Sequence, residues 1–113
     1  MTVERLFTDE EKLALQGLTL SNTSFDRVDF SGADLAHAVF RHVSLVGCDF
    51  RGARLTLATF LYCDLRETLF DRSTLLRGSR FDGSDLSGAR GLTRASKALI
   101  CRAGGMLPLS YLF

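Results

Sequence analysis

The hydrophobic residues of this chain follow a period of five. Leu or Phe occupies every fifth position from Leu20 to Leu75, and after one extra residue the series resumes at Phe81 and Leu86. An α-helix repeats every 3.6 residues and a β-strand every two, so neither places one face at this spacing. The pattern therefore predicts a repeat architecture in which short units stack on one another. The series between its ends is Phe25, Phe30, Leu35, Phe40, Leu45, Phe50, Leu55, Phe60, Leu65 and Phe70.

Each five-residue unit has two positions of the buried type. A small or β-branched residue stands two before the large one, as Ala33 does before Leu35, and the residue between them is usually polar. The two residues that follow are mostly polar or Gly, as in Ser31-Gly32, which suits a tight corner. The unit therefore predicts a chain that runs straight for a few residues and then turns.

Four such units would close a square coil of about twenty residues, with the next coil about 4.8 Å above it. In that register like residues lie over like, because Phe30 aligns with Phe50 and Phe70. Stacked side chains of one kind pack as ladders inside the coil. The other predicted columns are Leu20/Phe40/Phe60/Phe81, Phe25/Leu45/Leu65/Leu86 and Leu35/Leu55/Leu75.

The repeated unit resembles that of the pentapeptide-repeat family. Its pattern A-(D/N)-L-x-x is met by Ala33-Asp34-Leu35-Ala36-His37 and, with Cys in the small position, by Cys63-Asp64-Leu65-Arg66-Glu67. The resemblance covers Leu18 to about Leu92 and implies an all-β solenoid, a right-handed four-sided parallel β-helix of just under four coils. The family is defined by its architecture, so the resemblance by itself names no activity.

The sequences at both ends predict caps. The predicted division is residues 1–17 as an N-terminal cap, 18–92 as the β-helix and 93–113 as a C-terminal cap. Thr8-Asp9-Glu10-Glu11 is a capping box and starts a short helix that ends at Gly17, with Leu13 and Ala14 facing inward. Thr93 caps a second helix, which Gly104-Gly105 ends.

The last segment, residues 106–113, has no charged side chain and is too short to span a bilayer. Its alternation predicts a strand with one apolar face. Such a strand either folds back on the last coil or forms the seam of a homodimer, and the pattern leaves both open. The quinolone-resistance branch of the family dimerises through its C-terminal end, so the resemblance implies a dimer at a similar position. The alternating residues are Leu107, Leu109, Tyr111 and Phe113.

Cysteine usage and the N-terminal residues predict a reducing, cytoplasmic location. Cys48 and Cys63 occupy the small interior position, Cys101 lies in the second helix, and none forms a C-x-x-C pair. The chain opens without an apolar segment of the kind that signal peptides carry. No apolar run is long enough for a membrane span.

Nothing in the chain predicts a catalytic, cofactor-binding or metal-binding site. His37 and His42 are expected on successive corners, facing solvent, and a weak metal site with Cys48 is the less favoured alternative. The Asp residues before the large positions form outward columns, such as Asp29 over Asp49, and serve local hydrogen bonds. We therefore predict that the protein is not an enzyme.

Charge bears on the best-known activity of the family, which is mimicry of duplex DNA. A DNA mimic binds a type II topoisomerase such as DNA gyrase, and its surface must imitate a polyanion. From Leu18 to Leu92 the chain carries nine acidic and nine basic side chains, so the rod is neutral. This argues against DNA mimicry, which stays as the alternative function. The sequence has no stripe of basic residues with interleaved aromatic residues, so direct binding of nucleic acid is not predicted.

Apolar residues at outward positions predict a protein-binding surface. Leu57, Leu61 and Tyr62 lie at neighbouring corners of one coil, and the register places Leu76 beside Leu57. The extra residue falls between Leu75 and Phe81, close to the same corner. An insertion in a solenoid usually bulges onto one face. Either these residues dock a partner or the bulge folds over them. The sequence thus predicts a non-enzymatic interaction module with a partner of unknown identity.

Overall fold

The chain winds as a right-handed, four-sided parallel β-helix closed by a short helix at each end. The structure, a computed structural model, describes residues 7–112, with side chains up to Tyr111. Its elements are α1 (Asp9–Leu13), β1 (Thr19–Ser21), β2 (Val39–Arg41), β3 (Thr59–Leu61), α2 (Arg94–Arg102) and a 3-10 helix (Leu109–Leu112). No helix among these residues is long and apolar enough to cross a bilayer. The predicted fold class is confirmed.

The coils stack in the predicted register. Strands β1, β2 and β3 pair in parallel, with Leu20, Phe40 and Phe60 as Cα partners. The other three sides pair through single bridges, such as Ser24 with Ser44 and Asp34 with Arg54. Each side is short because the chain must turn again after about three residues, so the hydrogen bonds run almost wholly between coils.

Ladders of aromatic rings fill the interior. The rings of Phe40 and Phe60 stack with centroids 4.9 Å apart, and Phe60 stacks on Phe81 at 5.1 Å. A second ladder joins Phe30 to Phe50 at 5.5 Å. Buried Leu residues fill most of the two other columns, one of which begins at the partly buried Phe25, while Ala, Cys, Ser and Thr leave the rings room. The predicted interior is confirmed, with one correction.

The extra residue lies before Leu75, and this exchanges two neighbouring leucines. The side chain of Leu76 is 5% exposed and that of Leu75 is 52% exposed, so the prediction that Leu76 faces out is wrong. The Asp71 carboxylate accepts hydrogen bonds from the backbone N–H groups of Gly52 and Ser73, and so holds a wider corner. Thr74 then takes the small interior position, donating to the Phe50 carbonyl, and Leu76 follows as the large residue.

The N-terminal cap packs differently from the prediction. Thr8 and Glu11 form the capping box, which is confirmed, but α1 ends at Leu13 and that side chain is 68% exposed. Lys12 faces the rod instead, with its Nζ 3.3 Å from the Asp29 carboxylate. Phe7 and Leu15 supply the apolar contacts, and the Phe7 ring stacks 5.6 Å from that of Phe30. The prediction that Leu13 and Ala14 face inward is wrong.

The C-terminal cap begins as predicted and ends otherwise. Thr93 caps α2, whose Ile100 is fully buried on the last coil. Met106 then adds one position to the β-ladder, opposite Asp85. Beyond it the chain forms a 3-10 helix, so the predicted strand over Leu107–Phe113 is wrong within the described residues. Leu107 packs against the core and Tyr111 is half-buried, whereas Leu109 is 75% exposed. Phe113 lies outside the described residues.

Candidate protein-binding surface

Each regular corner of the rod passes through one residue in the left-handed region. The second residue after each large interior one has φ between +50° and +77° from Asn22 to Gly88, apart from the widened corner after Phe70. Glycine adopts this conformation without cost, whereas another residue pays about 1–2 kcal/mol. Leu57 (φ +60°) and Tyr62 (φ +52°) are the bulky apolar residues held at such corners.

These two corners bracket one flat side of the rod, here called the β3 face. The name covers the outward residues Val39, Leu57, Thr59, Leu61 and Tyr62. The exposed Arg41 pairs with Leu61 and the exposed Arg80 pairs with Thr59 in the neighbouring coils. Leu57 and Tyr62 lie at the two ends of the β3 face with 50% and 63% of their surface exposed, and its other three residues are half-buried. The structure therefore brings the predicted Leu57, Leu61 and Tyr62 together on one side.

Glycines in the next coil leave room for both exposed side chains to lie against the backbone. A Cβ atom at Gly83 would lie 2.5 Å from Cδ1 of Tyr62, and one at Gly78 would lie 2.6 Å from Cδ2 of Leu57. On its other side the Tyr62 ring stacks on His42, with centroids 5.4 Å apart and planes 11° from parallel. Tyr62 is thus an exposed aromatic residue already fixed in position, a property of side chains that anchor interfaces.

Leu75 is the exposed apolar residue that the sequence prediction missed. It lies on the adjoining side of the rod, where it pairs with Arg54. The sequence prediction had placed Leu75 in the interior and Leu76 outside. Two consecutive leucines fit the period equally well, so only the hydrogen bonds of the Asp71 corner decide between them. The prediction that the extra residue bulges beside Leu57 is wrong, because the widened corner stacks over Gly52, and Leu75 is the exposed leucine in place of Leu76.

The histidines and the groups that could bind a metal lie apart in the part of the chain that the structure describes. Both histidines are exposed corner residues, His37 at φ +62° and His42 at φ +52°. Within residues 7–112 no three His, Cys, Asp or Glu side chains come close enough to hold a metal ion. A groove of about 460 Å³ beside Glu67 reaches Arg90 and Tyr111, and its lining mixes charges with one leucine. A small-ligand site is usually concave and mostly apolar, so this groove differs from one.

The outward carboxylates serve the corners, as predicted. Asp49 and Asp64 each accept a hydrogen bond from the backbone N–H two residues later. The Arg66 guanidinium donates two further bonds to Asp64, each of 2.8 Å. These bonds hold the pKa of Asp64 below its ordinary value, although partial burial opposes them. The columns of Asp over Asp are also present, as between Asp29 and Asp49.

We expect Asp64→Asn to destabilise the protein near neutral pH and not in acid. Asn keeps an oxygen for the corner N–H but has no charge for Arg66. Because the pKa of Asp64 is lower in the folded protein, its contribution is present above the unfolded pKa and is lost as pH falls through the folded pKa. The pair is partly exposed, so the difference at pH 7 is about 0.5 kcal/mol. Urea unfolding at several pH values tests this, and a difference independent of pH would contradict it.

The thiols differ in access to solvent. Cys48 and Cys63 are buried and Cys101 is exposed. Burial raises the pKa of the Cys48 thiol to about 12, and burial also raises that of Cys63. We expect iodoacetamide to modify Cys101 alone in the folded protein and all three cysteines in denaturant, because thiolates are the reactive form. Mass spectrometry counts the adducts, and rapid native labelling of Cys48 would contradict the interior placement.

Comparison with known proteins bears on the fold. A family model described as pentapeptide repeats matches residues 14–41 and 33–72, with eight copies. Among solved structures, alr5209 from Nostoc Pcc 7120, a pentapeptide repeat protein, is similar with a TM-score of 0.67 and 21% identity, over 83% of this chain and 75% of that one. No curated protein matches the chain in sequence.

Two other solved structures are more distant. Rfr23, a pentapeptide repeat protein from the cyanobacterium Cyanothece 51142, has a TM-score of 0.45 and 24% identity, over 63% of this chain and 44% of that one. A trypsin-treated variant of QnrB1, a plasmid-mediated fluoroquinolone resistance protein, has a TM-score of 0.31 and 16% identity, over 96% of this chain and 89% of that one. With TM-scores below 0.5, neither likeness supports a conclusion about this chain.

Proposed function

We propose that this chain, which belongs to the pentapeptide-repeat family, is a non-enzymatic interaction module. In this proposal it docks a protein partner through the β3 face. The observation that supports this most is the pair Leu57 and Tyr62. Both are large, apolar and half or more exposed, and both occupy left-handed corners.

Folding alone does not favour these two residues at their positions. Asn22 and Gly83 occupy corners of the same column as Tyr62, and either residue type adopts a positive φ more easily. Exposed apolar side chains also raise the risk of association. A partner that buries Leu57 and Tyr62 would offset both costs, and tyrosine is frequent among the residues that dominate binding energy.

We expect the double variant Leu57→Asn and Tyr62→Asn to lose partner binding while it keeps or slightly gains stability. Asparagine removes the apolar surface and tolerates the corner conformation, as Asn22 does in this chain. Loss of one anchor residue typically costs about 2 kcal/mol, or roughly thirtyfold in affinity. The measurement is affinity capture from the source cells, followed by calorimetric titration of the purified partner, with thermal unfolding measured in parallel.

Leu13→Asn provides the matched control, because Leu13 is as exposed but lies in α1. It should bind the partner as the wild-type chain does. Equal binding by the β3-face variant and the wild type would refute docking through the β3 face. A drop in stability of the variant would instead show that these side chains serve the fold.

Self-association is a second candidate activity, supported by the C-terminal tail. Leu109 is 75% exposed and Met106 is 52% exposed at the end of the rod. We propose that this end contacts a second copy, and that the protein acts in the cytoplasm, which its three free cysteines support. Sedimentation of the full chain against Leu109→Ser tests the tail, and an unchanged mass distribution would count against it.

Action on a type II topoisomerase stays the alternative. A rod that imitates DNA needs an anionic surface, and residues 18–92 carry equal numbers of acidic and basic side chains. A supercoiling assay with purified DNA gyrase separates the two functions. Inhibition or protection at micromolar protein would favour the alternative over docking of an unrelated partner.

A further inference from the structure

Charge is distributed unevenly along the axis of the rod. Residues 7–37 carry six acidic and two basic side chains, whereas residues 76–112 carry two acidic and six basic ones. Residues 38–75 between them carry four acidic and five basic side chains and are nearly neutral. Because the coils stack in chain order, the near-neutral total conceals one acidic end and one basic end.

The caps concentrate the two charges at the outermost surfaces. Helix α1 has Asp9, Glu10 and Glu11 in its first turn, all exposed. Helix α2 carries three basic side chains and no acidic one, and residues 103–113 after it have no charged side chain. The ends of the rod are therefore the sites where an oppositely charged surface would bind.

The position of Arg94 is unfavourable for α2 itself. It begins the helix, where the positive end of the helix dipole disfavours a cation, and no acidic residue shares that turn. Its side chain is exposed and forms no ion pair with any described residue. Helix stability therefore does not account for Arg94, and its exposed charge is available to an anionic surface.

We propose that the protein associates head to tail, with the basic C-terminal end of one copy on the acidic N-terminal end of the next. The second copy is the occupant because its N-terminal end supplies the complementary charge. Two C-terminal ends in contact would place like charges together, which is unfavourable. The seam includes the exposed Leu109. This inference rests on the self-association proposed above, whose geometry it specifies, and is independent of docking at the β3 face.

A head-to-tail contact is not closed by two-fold symmetry, so the copies form rows that lengthen with concentration. Screening by salt weakens contacts between exposed charges. In sedimentation at about 20 mM salt, where the screening length exceeds 20 Å, the average mass should rise above 12.5 kDa as concentration increases. At about 0.5 M salt, where that length is only a few ångströms, it should return to the monomer value.

Two charge-reversal variants test the polarity. Asp9→Lys with Glu10→Lys makes helix α1 basic, and Arg94→Glu with Arg102→Glu makes helix α2 acidic. Each variant alone should stay monomeric at low salt, and an equal mixture of the two should associate again. Arg41→Glu with Arg72→Glu is the control, because both arginines are exposed on the sides of the rod. It should associate as the wild type does.

The outcomes separate the two proposals. A wild-type chain that is monomeric at every salt concentration overturns both self-association and its head-to-tail form. A dimer that becomes tighter in the Arg94/Arg102 variant alone would indicate contact between two C-terminal ends, so that self-association stands and the head-to-tail form fails. If the mixture of the two charge-reversal variants does not associate, the head-to-tail form is also overturned. None of these results bears on binding through the β3 face.

Discussion

Phe60→Ala is expected to lower the free energy of unfolding by about 3–5 kcal/mol. The Phe60 ring is fully buried in the third coil, between the rings of Phe40 and Phe81 at 4.9 and 5.1 Å. Its edge also meets the Phe50 ring at 6.1 Å. Alanine would leave a cavity, and the backbone hydrogen bonds to both neighbouring coils would keep it from collapsing. Most of the stability that the ring contributes should therefore be lost.

Phe60→Leu is the matched control. Leucine already holds the same column at Leu20, and this change removes less volume, so the expected loss is about 1 kcal/mol. Urea unfolding followed by circular dichroism measures both variants. Similar small losses for the two would mean that the coils shift to fill the space, and the ring ladder would then not be a rigid core.

The period of five predicted the interior because one physical rule repeats in every unit. Each large residue must point inward for the coil to close, so the register follows from counting, and the Phe40–Phe60–Phe81 ladder appeared as expected. Counting failed where two leucines follow each other. Leu75 and Leu76 satisfy the period equally well, and the carboxylate of Asp71 decides between them through its hydrogen bonds.

The caps were less predictable because they do not repeat. The capping box located the start of α1, but a helix of five residues has too few turns for an apolar face to be read from its sequence. The alternation of the tail suggested a strand. Pro108 has no N–H for a β-ladder, and its carbonyl accepts from Tyr111 in the 3-10 turn. The local preference of proline overrode the alternation.

The proposed docking surface was partly visible in the sequence. Leu57 and Tyr62 were recognisable as apolar residues at outward positions. The contacts that fix Tyr62 require its column to be read as a unit, from His42 below it to Gly83 above it. The residues of that column can be found by the same count of about twenty residues that predicted the interior ladders. The opposite charges of the two ends were likewise countable, but they acquire meaning only once the coils are known to stack in order.

Gly91→Ala is expected to destabilise the protein by about 3 kcal/mol or more, because it combines two separate effects. Gly91 has φ +81°, which alone costs a non-glycine residue about 1 kcal/mol. A Cβ atom there would also lie 1.8 Å from the carbonyl oxygen of Phe70, so the backbone must move. Gly91 takes the place of a large residue above Phe70, where the chain leaves the rod for α2.

Gly32→Ala separates the two effects, because Gly32 has φ +67° and a Cβ atom there would meet nothing within 4 Å. This control should lose only the conformational part, about 1 kcal/mol. Urea and thermal unfolding of both variants give the difference, which measures the collision with Phe70. Equal losses would mean that the chain leaves the last coil by another path. A larger loss at Gly91 would show that this close approach holds α2 against the rod. Because α2 carries the basic end, head-to-tail association would then depend on Gly91 as well.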